Sequence, residues 1–213
     1  MRERAGFTLI ELLVVIGLLS LLFVALVPMI GQAEAQEKAA TTKARIEAMA
    51  LAVEAYQVQR RIGDYPPDDF KDRGGKLKVS AGNGTNSGIE SCIIFLNRKL
   101  SREGPFPDQL DWLCNTDGDR AGFEIPKLLI SDRMELADAW GNPIAYFHFR
   151  NYATEQTYQM SEEEGGEAVI VTARRLKGRY AKPRAFQLFS AGPNGVFNDG
   201  DDIANFQIPE EDD

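Results

Sequence analysis

One stretch near the N-terminus decides the fold, and it reads GFTLIELLVVIGLLSLLFVALVPMI over residues 6–30. Its last nineteen residues, 12–30, carry no charge. As an α-helix rising about 1.5 Å per residue, they would reach roughly 28 Å, about the hydrocarbon thickness of a bilayer. The stretch therefore predicts a membrane-spanning helix, and Arg2 and Arg4 before it favour a cytoplasmic N-terminus.

An ordinary secretory signal is the main alternative for this segment, because residues 33–35 (AEA) have the small-x-small form that signal peptidases cleave. The apolar run is longer than the core of a usual signal, however, and Glu11 lies near its start. An intramembrane carboxylate is costly unless it is paired. If the chain is cut between Gly6 and Phe7, the new α-amino group lies one helical turn from Glu11 and is a candidate partner.

The run GFTLIELLVVI, residues 6–16, resembles the class III signal of type IV pilins and of type II secretion pseudopilins. The resemblance implies cleavage after Gly6 and N-methylation of Phe7 by a prepilin peptidase, with Glu11 pairing to the amine as subunits assemble. It also implies a pilin-like α+β fold, in which a long N-terminal spine helix, membrane-spanning in its first half, packs on a small antiparallel β-sheet. Pro28 stands where such proteins loosen this helix, and a proline favours a break because it removes one helical hydrogen bond.

These expectations divide the chain into five segments. They are a leader peptide (1–6), the transmembrane half of the spine helix (7–31), its periplasmic half (32–62), a variable insert or loop region (63–135), and an antiparallel sheet with a C-terminal calcium-type loop (136–213). The periplasmic half is rich in good helix formers. It carries a narrow stripe at steps of three and four residues, formed by Ile46, Met49, Ala50, Val53, Tyr56 and Gln57.

The composition excludes several classes of function. The 213 residues include 24 basic and 32 acidic side chains, giving a formal net charge of −8. No dense basic stripe is present, so binding of nucleic acid is not expected. The single histidine, His148, excludes multi-histidine metal centres. A structural role is expected for it, so a Ser/His/Asp triad is not expected. No catalytic residues are expected, and we interpret the protein as not an enzyme.

The insert region predicts a loop over residues 71–88, a short helix over 90–100, and a pair of cysteines. In an oxidising compartment, a bridge between Cys92 and Cys114 would close a loop of about twenty residues and contribute roughly 3 kcal/mol. We therefore predict a disulfide, with buried free thiols as the alternative. An acidic turn also falls here, at Asn115, Asp117, Asp119 and Glu124. We do not expect this turn to be a calcium site.

Strand signals gather late in the chain, at residues 144–149, 168–172 and 185–189. They alternate or are β-branched, and Gly, Asn and Pro residues separate them. They predict a three-stranded antiparallel meander with one face on the spine helix.

The loop after the third predicted strand, residues 190–203, places five side chains with oxygen donors around three glycines. Calcium takes six to eight oxygen ligands on a loop that can curl around it. Most such runs are solvated acidic turns, so the residues alone leave both interpretations open.

Three runs in this half, DAWGNPI (138–144), FSAGPNG (189–195) and DDI (201–203), resemble the C-terminal half of the major pseudopilins of type II secretion. This resemblance implies a structural calcium ion in the last loop. Its side-chain ligands would be Asn194, Asp199, Asp201 and Asp202, with Asn198 as an alternative to Asp199. Asn194 stands where the family usually has an aspartate, which removes one negative charge.

Together these features predict a structural subunit of a type II secretion pseudopilus that takes part in protein export. It would be a single-pass protein of the bacterial inner membrane, with its C-terminal domain in the periplasm. Its expected partners are other copies of itself, minor pseudopilins, the inner-membrane secretion platform and the prepilin peptidase. One alternative is a type IV pilus subunit for adhesion, motility or DNA uptake. Another is a membrane-tethered periplasmic binding domain or enzyme, whose sign would be a ligand pocket built by residues 70–130.

Overall fold

The computed structural model describes residues 8–59, 63–71, 74–80, 82–99, 110–125, 128–162 and 166–208. These residues form an α+β structure with an N-terminal helix and small antiparallel sheets. The chain divides into two compact units, residues 1–37 and residues 38–213. The general fold class therefore agrees with the sequence prediction.

Helix α1 covers Leu9–Gln59, so the long N-terminal helix is confirmed. Pro28 lies inside these bounds, so the structure assigns helix on both sides of it. The loosening predicted there during fibre assembly stays a prediction. Within the second unit, the stripe predicted on α1 is buried as expected. Ile46, Met49 and Val53 have no exposed surface.

None of the helices in the described ranges combines the length and the apolar character that a membrane span requires. The predicted span over residues 7–31 includes Phe7 and the side chains of residues 24–30, which lie outside the described part of the chain, so it stays a prediction.

The strands are short, and all of their described pairings within the sheets are antiparallel. They are β1 (Leu113–Cys114), β2 (Arg120–Ile125), β3 (Ile130–Asp132), β4 (Glu135–Leu136), β5 (Ala145–His148), β6 (Gln156–Gln159), β7 (Ala168–Val171), β8 (Arg175–Leu176), β9 (Arg179–Tyr180), β10 (Phe186–Ser190) and β11 (Ile203–Ala204). A three-stranded sheet has the order β11–β10–β5, and two-stranded sheets join β1 to β4, β2 to β3, β6 to β7 and β8 to β9.

The predicted meander is wrong in its pairing. The first and third predicted strands, β5 and β10, lie directly side by side, with Phe186 opposite His148 and Phe189 opposite Ala145. The middle strand, β7, instead forms a hairpin with β6, whose sequence QTYQ has no strong strand signal. Strand β11 completes the central sheet on the other side of β10.

Helix α2 covers Ser87–Lys99, close to the predicted helix over 90–100. Its first turn lies against the sheet, because a Cβ atom at Gly88 would fall 2.4 Å from the Tyr146 carbonyl oxygen in β5. The apolar residues of α2 are buried, and they join one hydrophobic core with the stripe on α1 and with β5 and β10. Residues 63–135, predicted as a variable insert or loop region, thus contribute a helix and core side chains.

Candidate functional site

A reciprocal pair of hydrogen bonds between Thr8 and Glu11 closes the start of α1. The Glu11 N–H donates to Thr8 Oγ1 at 3.3 Å, while the Thr8 N–H and hydroxyl donate to Glu11 Oε2 at 2.8 and 2.7 Å. This is a capping box, which satisfies backbone donors that have no partner inside the helix. The sequence carries the Thr-x-x-Glu pattern of this box. Glu11 therefore has a local capping role in addition to the predicted pair with the amine. Gly6 and Phe7 lie outside the described residues, so cleavage, methylation and the amine pair stay predictions.

The described side chains of α1 before residue 24 expose an apolar surface on every side of the helix. Its large apolar members are Leu9, Ile10, Leu12, Leu13, Val14, Val15, Ile16, Leu18, Leu19, Leu21, Leu22 and Phe23. Their exposed fractions range from 45% at Val15 to 82% at Leu9. A helix that is apolar all round needs cover from lipid or from other apolar helices.

A buried carboxylate, Asp138, organises the turn before β5. Its Oδ1 accepts hydrogen bonds from the N–H groups of Trp140 and Asn142, both at 2.9 Å, and its Oδ2 accepts the Ser190 hydroxyl at 2.6 Å. Gly141 has a φ of 88°, in the left-handed region that favours glycine. Because Ser190 ends β10, Asp138 joins this turn to the start of the last loop.

The same turn is bonded to α1 within the second unit. The Ala139 N–H donates to Thr42 Oγ1 at 3.0 Å. Arg45 Nη1 donates to the carbonyl oxygens of Ala137 and Asp138 at 2.9 and 3.0 Å. The turn has a recognisable sequence pattern, whereas its two partners on α1, Thr42 and Arg45, could not be predicted from the sequence.

The last loop brings Asn194, Asp199 and Asp201 together. The amide nitrogen of Asn194 donates to Asp199 Oδ2 at 2.7 Å and to Asp201 Oδ1 at 2.9 Å, while its Oδ1 accepts the Val196 N–H at 2.7 Å. Two carboxylates thus converge on one point, and a neutral nitrogen lies there. Burial and the neighbouring Asp199 raise the pKa of Asp201 to about 6.

Asp202, the fourth predicted ligand, pairs with Arg174. Its Oδ2 lies 3.4 Å from Arg174 Nη1 and accepts the Asn198 N–H at 3.0 Å. Its Oδ1 is buried and has no hydrogen-bond partner. Burial raises the pKa of Asp202 to about 7, although Arg174 opposes this shift.

These geometries can be compared with known proteins. Residues 1–27 match the family model of the prokaryotic N-terminal methylation motif. The chain carries a type IV pilin-like signal. This confirms the predicted class III signal, and the motif indicates a subunit of a type IV pilus or of a pseudopilus. Such a signal is typical of membrane-anchored pilin-like proteins. Neither the curated proteins nor the solved structures include a match to the chain.

Both cysteines are free thiols, so the predicted disulfide is wrong. Cys92 lies fully buried in α2, whereas the Cys114 thiol in β1 donates to Glu135 Oε2 at 3.4 Å. The two thiols therefore belong to different environments, which their spacing along the chain could not reveal. Burial raises the pKa of both thiols, and it keeps them protonated and unreactive.

His148 is buried, and both of its ring nitrogens have hydrogen-bond partners, which agrees with the structural role expected for it. Its Nε2 lies 3.0 Å from Asp64 Oδ1, and its Nδ1 accepts the Arg150 N–H at 3.2 Å, which caps a short 3₁₀ turn. Burial lowers the pKa of His148, although Asp64 opposes the shift.

Proposed function

We propose that this chain is a structural subunit of a type II secretion pseudopilus rather than an enzyme, and that it takes part in protein export. The observation that carries the proposal is the hydrogen-bonded network around Asp138. It couples the Trp140 turn to the start of the last loop, and α1 bonds to the same turn. These are the segments whose sequence resembles major pseudopilins. A polymerising subunit gains affinity when its contact loops are held in place before assembly.

The N-terminal helix would serve first as an anchor and then as the fibre core. After the prepilin peptidase cuts behind Gly6 and methylates Phe7, the helix would hold the subunit in the inner membrane, with the rest of the chain in the periplasm. The apolar surface of residues 9–23 would be covered by lipid before assembly and by neighbouring copies afterwards. A pair between Glu11 and the Phe7 amine of a neighbour would offset the burial of both charges.

A structural calcium ion in the last loop is part of the proposal, and the side chains present offer the oxygen ligands that calcium binds. Oxygens of Asp199 and Asp201 converge, and Asp202 Oδ1 is buried without a partner. Arg174 pairs with Asp202, so three ionised carboxylates in this loop would leave an excess of two negative charges, which a divalent cation would neutralise. Bound calcium would supply the charge that orders this loop. Asn194 carries no charge, so the site would be weaker than one with aspartate there.

Gene deletion in the native bacterium tests the export function. We expect secreted proteins to disappear from the medium while the cell envelope stays intact. The wild-type gene should restore secretion, whereas the Asp138→Ala variant should not. The variant Glu124→Gln, at an exposed residue of β2, serves as the matched control. If the deletion spares secretion and abolishes surface pili, motility or DNA uptake, the chain is a type IV pilus subunit instead.

Mass spectrometry of the mature protein tests the anchor. The chain should begin at N-methylated Phe7. A start at Gln36 would mean that an ordinary signal peptidase removes the helix, and the fibre proposal would fail.

The role of Glu11 is tested by Glu11→Ala, which should be inserted and cleaved but should assemble poorly. Thr8→Val is the matched control, because it removes the hydroxyl of the cap and leaves the carboxylate in place. Fibres of normal yield from Glu11→Ala would contradict the amine pair.

A further inference from the structure

Three carboxylates from separate elements meet in the interior of the second unit. Glu90 lies in the first turn of α2, Asp117 in the loop between β1 and β2, and Glu135 in β4. Each offers one oxygen, and these oxygens lie within 4.8 Å of one another. Glu90 and Glu135 are fully buried, and Asp117 is partly buried. We refer to these three residues as the buried acidic cluster.

In each buried glutamate, one carboxylate oxygen is engaged and the other is not. Glu135 Oε2 accepts the Thr116 N–H at 3.0 Å and the Cys114 thiol at 3.4 Å. Glu90 Oε2 lies 3.5 Å from Arg133 Nη1. The Oε1 atoms of both glutamates are buried and have no hydrogen-bond partner. Burying an unpartnered carboxylate oxygen costs free energy, so these atoms point to a ligand that the chain does not supply.

Charge around the cluster is unbalanced. Arg133 is fully buried, and it contacts Glu90 and a fourth acid, Asp119, whose Oδ2 lies 3.2 Å from Arg133 Nε. One guanidinium therefore pairs with two of the four carboxyl groups in this region. Burial and the nearby acids raise the pKa of Glu90 to about 9, and burial raises that of Glu135 to about 8. A proton on each glutamate removes its charge, but a divalent cation would satisfy several oxygens at once.

The donor set favours a hard cation. All three converging groups are carboxylates. The sulfur of Cys114 donates to Glu135 Oε2 at 3.4 Å and is not one of the three converging donors, so the set lacks the thiolate that zinc prefers. Among the described residues, Asp117 accepts hydrogen bonds from the Asn83 amide at 3.0 Å and from the Asp119 N–H at 3.2 Å, both neutral donors, which leave lone pairs for a cation. Calcium accepts irregular sets of oxygens, whereas magnesium demands near-ideal octahedral geometry.

We propose that the buried acidic cluster binds one calcium ion through Glu90, Asp117 and Glu135. The ion would fasten α2 and the loop before β2 to β4, which lies just before the Asp138 turn. This site is separate from the last loop, and it does not depend on the export function.

The acidic turn at residues 115–124 lies partly against the buried acidic cluster. Asp119 keeps only 10% of its side chain exposed and pairs with Arg133, and Asp117 joins the cluster. Glu124, by contrast, is exposed on β2. No local pattern could have revealed the cluster, because Glu90 and Glu135 lie far from the turn along the chain.

Calcium binding to the full-length chain in detergent, measured by equilibrium dialysis with calcium alone, tests the inference. The wild-type chain should bind two ions when both the cluster and the last loop are occupied. Glu135→Gln should lose one, and so should Asp117→Asn, which changes a partly exposed residue. Glu124→Gln should keep both, and Asp202→Asn should lose only the ion of the last loop.

Thermal unfolding gives a second measurement. Calcium at 100-fold above its Kd should raise the Tm of wild type by roughly 5–10 °C, and Glu135→Gln should lose much of this rise. Glutamine keeps the shape of a protonated glutamate, so the variant should fold without calcium.

Several results would overturn the inference. One is a wild-type count of ions in both Glu135→Gln and Asp117→Asn. Another is a wild-type chain whose only ion disappears with Asp202→Asn. Tighter binding of zinc than of calcium, lost in Glu135→Gln, would reassign the site to zinc.

One further result would support the cluster and refute calcium in the last loop. In that case the wild-type chain would bind a single calcium ion, and Glu135→Gln would lose it.

Discussion

The last loop and the buried acidic cluster are both acidic, yet they hold their carboxylates in different ways. In the last loop, Asn194 bonds to Asp199 and Asp201, Arg174 faces Asp202, and one buried oxygen, Asp202 Oδ1, has no partner. In the cluster, the acids come from three elements, and two of their buried oxygens have no partner.

This difference indicates which feature of an acidic region would identify it as a cation site. Acids that are close along the chain often find donors nearby, because a flexible loop can turn an amide or an N–H toward them. Acids brought together by separate elements have no such freedom, since their positions follow from packing of the core. The number of donors available to each oxygen is therefore more informative than the density of acids in the sequence.

The largest expected effect on stability comes from replacing the arginine of the buried acidic cluster, and the arginine of the last loop gives the comparison. Arg133→Met should lower the free energy of unfolding by about 3–5 kcal/mol, because it leaves buried Glu90 and Asp119 without a cation. Arg174→Met should cost about 1–2 kcal/mol, since Arg174 keeps 15% of its side chain exposed. Urea unfolding of the full chain in chelator measures both. Equal costs would remove the distinction between the two regions, and added calcium should recover part of the loss in Arg133→Met.

Asp68 provides a buried acid of a third kind, one whose oxygens all have donors. It accepts hydrogen bonds from the His148 N–H and from the side chains of Asn151 and Gln156. Burial raises its pKa to about 6. The folded protein then holds this proton more tightly than the unfolded protein between about pH 4 and 6. Its contribution to stability therefore falls as pH rises through this window, by up to roughly 3 kcal/mol.

The difference between wild type and Asp68→Asn in urea unfolding across pH 4–7 should show this slope, and calcium should not change it. Asp69→Asn, at the next residue, is the matched control. A slope at Asp68 that calcium removes would mean that buried acids respond to calcium whether or not they have donors.

Asp138→Ala is expected to cost about 2–3 kcal/mol, because three hydrogen bonds are lost and the buried Ser190 hydroxyl is left without its acceptor. It should also release the last loop while leaving the buried acidic cluster in place. Equilibrium dialysis should then find one bound calcium ion instead of two. Two ions retained would show that the last loop does not depend on the turn.

The smallest expected effect is at Asn194→Asp. In chelator the change should lower stability by about 1 kcal/mol, because two donated hydrogen bonds are replaced by repulsion between carboxylates. With calcium present the sign should reverse, and the affinity of the last loop should rise about tenfold. Isothermal titration on a Glu135→Gln background isolates this loop. Unchanged affinity would argue that the loop is a solvated turn.

Much of α1 could be predicted from the sequence, because helical periodicity is local. Ile46, Met49 and Val53 recur at helical steps, and all three are buried. The methylation motif is equally local, since it depends on a few residues before one apolar run. The bounds of α2 were also close to the prediction, because apolar residues supply its buried side.

Features that depend on long-range pairing could not be predicted in the same way. The register that places Phe189 opposite Ala145 joins strands that are separated by the whole β6–β7 hairpin. The directions of Cys92 and Cys114 follow from how α2 and β1 pack, so their spacing suggested a disulfide that does not form. In the last loop the sequence identified the acids, but it gave no sign that Arg174 would face Asp202.

Gly88 determines how closely α2 approaches β5. The proposed calcium site in the buried acidic cluster therefore depends on this glycine. A methyl group here would fall 2.4 Å from the Tyr146 carbonyl oxygen, and α2 could accept it only by moving outward. Glu90, two residues further along the same helix, would move too, while Asp117 and Glu135 stay on their own elements. The gap between the three carboxylates would widen and favour a cation of larger radius. The absence of a side chain at Gly88 would thus influence which ion the proposed site selects, although Gly88 contributes no ligand.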